Sequence, residues 1–196
     1  AYSFYSCAML SELTLGSGLL EIASHAFANC EKLTEVDLPD SLEQMGDYAF
    51  YATGLWLAAD LIVYADNWVV GVRFPQIFYL EQVGLDPATA GLADYAFYNA
   101  VGYPSITLNE GLRVIGKAAF YSCVSLTSIN IPSTVEAVPD YAFYNCTNLT
   151  GVTFAGHTSS LGRSAFYGCV ALSGIELPQS MRQVGAYAFY GCTGLI

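Results

Sequence analysis

Hydrophobic residues recur along this chain with a period of 23 residues. Small residues, mostly cysteine, lie three positions after a recurring phenylalanine, and leucine or an aromatic residue lies six positions after it. Nine of the eleven phenylalanines fall on this register, with one step of 24 residues: Phe4, Phe27, Phe50, Phe74, Phe97, Phe120, Phe143, Phe166 and Phe189. Self-similarity of this length is typical of a solenoid of stacked coils, here about eight and a half of them.

Each coil contains two kinds of spacing, counted from its phenylalanine as position 0. Polar and apolar residues alternate from +8 to +11, which predicts a short β-strand with one buried face. A second extended piece ends at an apolar +18 residue, and the A-F-Y-x-C segment predicts one short helical or 3₁₀ turn. Because one coil cannot bury its own apolar face, we expect parallel stacking of coils, with each phenylalanine on the next. Residues 1–196 are thus predicted to form a single repeat-solenoid domain.

One coil, residues 51–73, departs from the pattern. It lacks the regular +8 to +11 signal, since Ala58 and Ala59 stand at +8 and +9, and it contains two β-rich runs, 61–65 and 68–72, that flank Asp66 and Asn67. Asp-Asn is a tolerable turn pair for positive φ, so this segment predicts a β-hairpin. We expect a degenerate coil whose outer part projects as that hairpin.

Composition and charge exclude two classes of function. Hydrophobic residues make up 54% of the chain, but no run reaches the length of about 18 apolar residues that a membrane-spanning helix needs. The net charge is −11 with only six Lys and Arg, which argues against nucleic-acid binding. The excess acidic charge lies entirely in residues 1–98. Since the chain begins at Ala1 without a methionine, we expect a fragment or a mature product.

The six cysteines all occupy position +3. Thr53, Ile77 and Ala100 fill the same position in other coils, so the position favours a small side chain. Stacked Cβ atoms nearly 5 Å apart are slightly too distant for a relaxed disulfide, and zinc sites usually need C-x₂-C pairs, which do not occur. The pattern predicts six buried free thiols, with no metal and no cofactor.

Two surfaces are candidates for binding a partner. The +8 and +10 side chains of the strands are expected to line a concave face, whose acidic members could meet calcium or a basic partner. The candidate residues on this strand face are Glu12, Glu35, Asp37, Thr107, Asn130, Thr153 and Glu176. The second candidate is the tyrosine row at +1, with Tyr98, Tyr121, Tyr144, Tyr167 and Tyr190. Alternatively, the acids form a solvated face and the tyrosines only cover the turns.

No residues suggest catalysis. His25 and His157 have no nucleophile or acid partner at a useful spacing, and a general base needs a positioned neighbour. The sequence also lacks the G-x-S-x-G and H-E-x-x-H motifs. We therefore expect that the chain is not an enzyme.

The repeat A-F-Y-x-C-x-x-L-T-x-I-x-L-P-x-S-(L/V)-x-x-(I/V)-G-x-Y, seen at 119–141, resembles the BspA-like leucine-rich repeats. Segment 63–71 is similar to an interruption found in such arrays. The resemblance implies a leucine-rich-repeat-like solenoid, an extracellular or cell-surface location, and adhesion to an extracellular protein or glycan. It implies no catalytic residues, and the charge and hydropathy of the chain argue separately against a nucleic-acid partner and membrane insertion. The alternative is a passive spacer that holds other domains away from the cell surface.

Overall fold

A computed structural model describes residues 1–59, 61–73 and 82–196. The chain forms a solenoid of about seven turns with stacked parallel strands, as the repeat predicted. Within the described residues, segment 51–73 does not form a regular coil. Phe74, Ile77 and Leu80 of the predicted register lie outside the described residues.

The secondary-structure elements are short and are dominated by two-residue to five-residue strands. In chain order they are β1 (Glu21–Ile22), β2 (Gln44–Met45), α1 (Gly54–Ala58), β3 (Ile62–Ala65), β4 (Trp68–Val72), β5 (Val83–Gly84), β6 (Gly91–Leu92), β7 (Ile106–Thr107), β8 (Ser128–Ile131), β9 (Ala137–Val138), β10 (Gly151–Phe154), β11 (Ser160–Leu161) and β12 (Gln183–Val184). All strand pairs except β3–β4 are parallel. The parallel order follows from coils that repeat the same path.

The strands lie in two rows, at the two places where the sequence predicts extended chain. Strands β5, β7, β8 and β10 fall at +8 to +11, and β8 pairs with β10 in a register of 23 residues, for example Ile129 with Val152. Strands β1, β2, β6, β9, β11 and β12 end at the predicted +18 position. Gly162 lies between β11 and the next turn. A side chain would not fit there, because a Cβ on Gly162 would lie 2.3 Å from the Asp140 nitrogen of the neighbouring coil.

The A-F-Y-x-C segment forms a turn, but it does not form a 3₁₀ helix. Only alternate amides bond within the turn: Cys146 N donates to Phe143 O, whereas Phe143 N donates to Ala165 O in the next coil. Residues on both sides of the phenylalanine have left-handed φ values, 60° at Tyr141 and 61° at Asn145, which interrupt any helix. The one helix in the described part of the chain is α1, and it is too short to cross a membrane.

The core is built around a ladder of phenylalanine rings, as predicted. Rings of successive coils stack with centroids 5.0 to 5.5 Å apart, for example Phe120 on Phe143 at 5.0 Å and 2°. Phe27, Phe50, Phe97, Phe120, Phe143 and Phe166 are buried. Stacked side chains of one type let each coil bury the same apolar face against the next.

The hairpin predicted at Asp66-Asn67 is present, but it does not project from the solenoid. Strand β4 pairs with β3 on one side and with β6 of the following coil on the other, and all five of its residues are buried. Its side chains alternate between two apolar clusters, so that Val69 packs with residues of the later coils and Val70 with those of the earlier coils. The prediction was wrong on this point because two-sided burial leaves no polar face for solvent.

Candidate functional site

The cysteine row has a hydrogen-bonding role that the sequence reading missed. Each buried cysteine donates its thiol to the phenylalanine carbonyl oxygen of the preceding coil, over 3.0 to 3.2 Å. Burial raises the pKa of the Cys30 and Cys146 thiols, which keeps them protonated and unreactive. All six cysteines are free, but Cys7 is exposed, so the prediction of six buried thiols was wrong for this residue.

The strand-face candidates are exposed polar side chains in the structure. All seven predicted residues are exposed: Glu12, Glu35, Asp37, Thr107, Asn130, Thr153 and Glu176. Only Thr107, Asn130 and Thr153 lie on strands, so the prediction of a strand was wrong for the other four. The structure brings Thr153 and Asn130 together through a hydrogen bond of 2.8 Å, and Gln82 donates to Thr107 over 2.7 Å. Within 1–59, 61–73 and 82–196, no three His, Cys, Asp or Glu side chains converge as metal ligands would. These contacts describe a polar face with internal hydrogen bonds.

The tyrosines at +1 form a second ladder on the outside of the turns. Ring centroids of successive coils lie 4.6 to 5.6 Å apart, with planes within 30° of each other. The stacked rings are Tyr98, Tyr121, Tyr144, Tyr167 and Tyr190. Tyr98 and Tyr190 are exposed, and the three between them are half-buried by their neighbours. Stacking thus holds a continuous aromatic strip in one conformation.

A further set of tyrosines, at −2, packs edge-on against this row. Tyrosine occupies −2 in five coils, at Tyr2, Tyr48, Tyr95, Tyr141 and Tyr187. Each ring lies 5.4 to 6.0 Å from the +1 ring of its own coil, at 58 to 87°. All five have φ between 54 and 61°, a conformation that costs a bulky L residue about 1–2 kcal/mol. His25, Ala118 and Ser164 occupy the same −2 position with φ of 54 to 57°, so this conformation belongs to the backbone of the repeat and does not depend on the tyrosine ring.

A cleft of about 820 Å³ opens where the irregular coil interrupts the two tyrosine rows. In sequence, segment 71–76 carries no tyrosine, so one tyrosine turn is missing between the coils of Tyr48 and Tyr95. The described residues that line the cleft are His25, Tyr48, Tyr51, Trp56, Val70, Gly71, Val72, Arg73, Asp94, Tyr95, Ala96 and Tyr98. The volume is within the range of small-molecule and glycan sites, about 300–1,000 Å³.

The irregular coil positions an indole ring in this cleft. Trp56 lies on helix α1 at the +6 position, where most coils have leucine, and its ring meets Tyr51 edge-on at 5.2 Å. The edge of the ring approaches strand β4 at Gly71, where a Cβ would lie 2.6 Å from Trp56 Cη2. A side chain at position 71 would therefore push the indole away from the cleft lining. Glycine at this position is explained by the close approach of the ring.

The polar groups of the cleft carry both signs of charge. Arg73 is exposed and donates from Nη1 to the Ala59 oxygen over 2.7 Å. Burial raises the pKa of the half-buried Asp94 carboxyl, and the nearby Asp47 carboxylate raises it further. Asp94 Oδ1 accepts a hydrogen bond of 2.7 Å from Lys117 N, and this bond lowers the pKa of the carboxyl. The cleft is therefore an aromatic site with one cation and one anion in its lining.

The sequence identified the +1 tyrosine row but not the cleft beside it. Of the residues that line the cleft, Tyr98 was among the predicted candidates, whereas Trp56 and Arg73 were not. The signals in the sequence were the absence of tyrosine from 71–76 and the change of leucine to tryptophan at one +6 position. Both signals lie in or next to the irregular coil, whose structure the 23-residue repeat does not predict.

Comparisons with known proteins agree with this architecture. A leucine-rich repeat protein from Bacteroides ovatus is 23% identical, with a TM-score of 0.53 over 98% of this chain and 55% of that chain. A leucine rich cell surface protein from Faecalibacterium prausnitzii is 22% identical, with a TM-score of 0.64 over 100% of this chain and 61% of that one. This chain thus spans little more than half the length of these neighbours. At such identities, the likeness shows the fold alone.

The sequence also matches a family model. The BspA type leucine rich repeat region matches in six copies, over residues 1–58 and 73–196. The unmatched segment contains the β3–β4 hairpin, so the family pattern fails at the same place as the 23-residue register. No curated protein matches the chain. This family and fold are generally non-catalytic. The chain therefore belongs to the BspA-type leucine-rich repeat family.

Proposed function

We propose that this chain is a non-catalytic binding module of a secreted or cell-surface protein, and that its tyrosine face holds an extracellular protein or glycan. The tyrosine face comprises the −2 and +1 tyrosine rows and the cleft between them. The observation that carries the proposal is the aromatic cleft of about 820 Å³, since clefts of this size and lining are typical of ligand sites. The description of the Faecalibacterium prausnitzii neighbour as a cell surface protein supports the location.

The rigidity of the tyrosine face favours binding. Tyrosine combines a flat apolar ring with a polar tip, and it is enriched at the centres of interfaces. Rings already held by their neighbours, such as Tyr144 at 4.6 Å from Tyr121 and 4.7 Å from Tyr167, lose little conformational freedom when a ligand covers them. Lower ordering cost leaves more of the contact energy for affinity.

The strand face is the second candidate surface. Glu12, Glu35 and Asp37 are exposed in the acidic half of the chain and would attract a basic protein partner at low salt. Thr107, Asn130 and Thr153 are also exposed but bond to neighbouring side chains. A passive spacer, in which neither face binds anything, is the alternative function of a different class.

A binding panel separates these possibilities. The purified chain is applied to immobilised extracellular matrix proteins and polysaccharides, at low and at physiological salt. Two double variants with intact cores are compared, Tyr51→Ala/Tyr98→Ala on the tyrosine face and Glu35→Gln/Asp37→Asn on the strand face. We expect saturable binding that the tyrosine variant loses and the acidic variant keeps.

The other outcomes contradict the proposal in different ways. Binding lost only in Glu35→Gln/Asp37→Asn, together with strong salt dependence, would assign recognition to the strand face. Binding of the chain to no member of the panel would favour the spacer. Circular dichroism of each variant shows whether lost binding comes from the surface or from a loss of fold.

A further inference from the structure

We infer that the cleft receives an arginine side chain of a basic protein partner. This inference rests on the proposed function and commits its ligand to a protein segment that carries a positive charge. It depends on three features of the cleft: the carboxylates around it, the free ring face at its edge, and the donor groups that Arg73 offers to a peptide main chain.

The electrostatic field at the cleft attracts a cation. The cleft lies within residues 1–98, which carry the whole excess of acidic charge. Burial raises the pKa of the Asp94 carboxyl in the lining, and the Asp47 and Glu21 carboxylates raise this pKa further. Three acidic groups therefore lie near enough to interact, and the Lys117 charge opposes them only in part. A cation bound beside Asp94 would relieve the repulsion among the three carboxylates.

The free ring face belongs to Tyr98, the first ring of the +1 ladder. Tyr121 stacks on one face of this ring at 5.6 Å, on the side of the later coils. Within the described residues, no ring stacks on the opposite face, which is on the side of the cleft. The next rings, Tyr121, Tyr144 and Tyr167, are covered on both faces and present only their edges. The ladder therefore offers a stacking surface at one place beside the cleft, which suits a single side chain.

A guanidinium group matches the ring face and the carboxylate together. It is a flat, weakly hydrated cation that stacks on aromatic faces, whereas the lysine ammonium is a compact and strongly hydrated charge. Its N–H groups lie in the plane of the group and can bond a carboxylate while the face is stacked. Asp94 Oδ1 already accepts a bond from Lys117 N, but a carboxylate has lone pairs for further donors. Tyr98 and Asp94 line the same cleft, so one guanidinium can meet both.

Arg73 favours a peptide over a small organic cation. Its Nη1 donates to Ala59 O, and Asp94 Oδ1 accepts from Lys117 N, so these bonds do not join the two charges of the cleft. The other N–H groups of the exposed Arg73 guanidinium can donate to a ligand. A small cation has no acceptor to offer them, whereas a peptide has main-chain carbonyl oxygens beside its basic side chain. At about 820 Å³, the cleft also has room for the neighbouring residues of the peptide.

The test is a titration with short peptides that is followed by tryptophan fluorescence and calorimetry. Trp68 is buried and Trp56 lines the cleft, so a change in emission reports on the cleft. The probes are acetylated and amidated peptides of sequence Gly-Ser-Xaa-Ser-Gly, in which the central residue is arginine, lysine, citrulline or glutamate. Citrulline keeps the shape of arginine without its charge. We expect saturable binding of the arginine peptide that weakens as salt is raised.

The other peptides show which property of arginine is recognised. The lysine peptide should bind more weakly than the arginine peptide, because its ammonium is more strongly hydrated and cannot stack. The citrulline and glutamate peptides should bind at least about ten-fold more weakly, since neither brings a cation to the carboxylates.

Variants make the test specific to the cleft. Asp94→Asn keeps the size of the side chain and should weaken binding of the arginine peptide about ten-fold or more. Asp140→Asn is its matched control, because Asp140 Oδ1 accepts the corresponding bond from Arg163 N in a later coil, outside the cleft. It removes the same charge from the chain and should leave the affinity unchanged.

The ring face has a matched pair of variants at the two ends of the ladder. Tyr98→Ala should weaken binding about three-fold to ten-fold. Tyr190 is the last ring of the same ladder and is also exposed, but it lies in the half of the chain that has no excess acidic charge. Tyr190→Ala should therefore bind the arginine peptide as the unchanged chain does.

Several results would overturn the inference. They are no response to the arginine peptide at millimolar concentration, equal affinities for the arginine and citrulline peptides, tighter binding of the glutamate peptide, or unchanged affinity in Asp94→Asn. If Tyr51→Ala/Tyr98→Ala loses a protein or polysaccharide of the panel while the arginine peptide does not bind, the inference fails and the proposed function stands. If the tyrosine variants change no binding at all, both fail.

Discussion

Phe143 lies at the centre of the phenylalanine ladder, and its removal tests how the coils hold together. Its ring is fully buried and stacks on Phe120 at 5.0 Å and on Phe166 at 5.1 Å. Buried Phe→Ala changes cost about 3–5 kcal/mol, and rings fixed above and below prevent collapse of the cavity, so we expect about 5 kcal/mol for Phe143→Ala. In a chain of this length, that loss lowers Tm by about 10–20 °C.

Tyr144, the next residue, is the matched comparison. It makes the same kind of stack, at 4.6 and 4.7 Å, but it lies on the outside and is half-buried. Tyr144→Ala loses two stacked aromatic contacts of about 0.5–1.5 kcal/mol each, so we expect a loss of about 1–3 kcal/mol from stacking. Urea unfolding followed by circular dichroism measures both variants. Equal losses from the two variants would refute the assignment of one ring to the core and the other to the surface.

Three other perturbations test separate parts of the account. A thiol reagent should label Cys7 at once and the five other cysteines only after unfolding; fast labelling of more than one thiol would contradict the buried row. The pKa of Asp94 is raised in the folded chain. The unchanged chain therefore loses stability as pH rises above the ordinary aspartate pKa of about 3.9. Asp94→Asn lacks this carboxylate, so between about pH 4 and about pH 7 it should gain stability relative to the unchanged chain. Urea unfolding at a series of pH values measures the difference between the two chains. Gly71→Ala should lower the free energy of unfolding by about 1–3 kcal/mol and shift tryptophan emission, because it moves the indole of Trp56. Gly151 has open space around it, so Gly151→Ala should have neither effect.

The regular part of the fold could be predicted from sequence because every coil repeats the same pattern of apolar and polar positions. The 23-residue register placed Phe143 in the core and the strand pair β8–β10 in parallel register, and the structure confirms both. Because the same position recurs in each coil, the sequence shows its preferred residue type several times over. The hairpin turn at Asp66-Asn67 was also predictable, since turn chemistry is local.

The features that the sequence could not supply depend on contacts between unlike coils. The two-sided burial of β4 arises from the coils before and after it, and no repeat describes that packing. The left-handed tyrosine turns were missed because tyrosine is a rare residue in that conformation, although Asn145 and other small or polar residues at +2 fit it well. The cleft was missed for the same reason as β4, since Trp56 and Tyr98 approach it from coils with different structures.

NMR chemical shifts can show directly whether the tyrosine face or the strand face holds the partner. The chain is labelled on its tyrosine rings and threonine methyl groups and titrated with the strongest binder from the panel. We expect shifts at Tyr51 and Tyr98 around the cleft, with no change at Thr107 and Thr153 on the strand face. Shifts at the two threonines with unchanged tyrosine signals would contradict it.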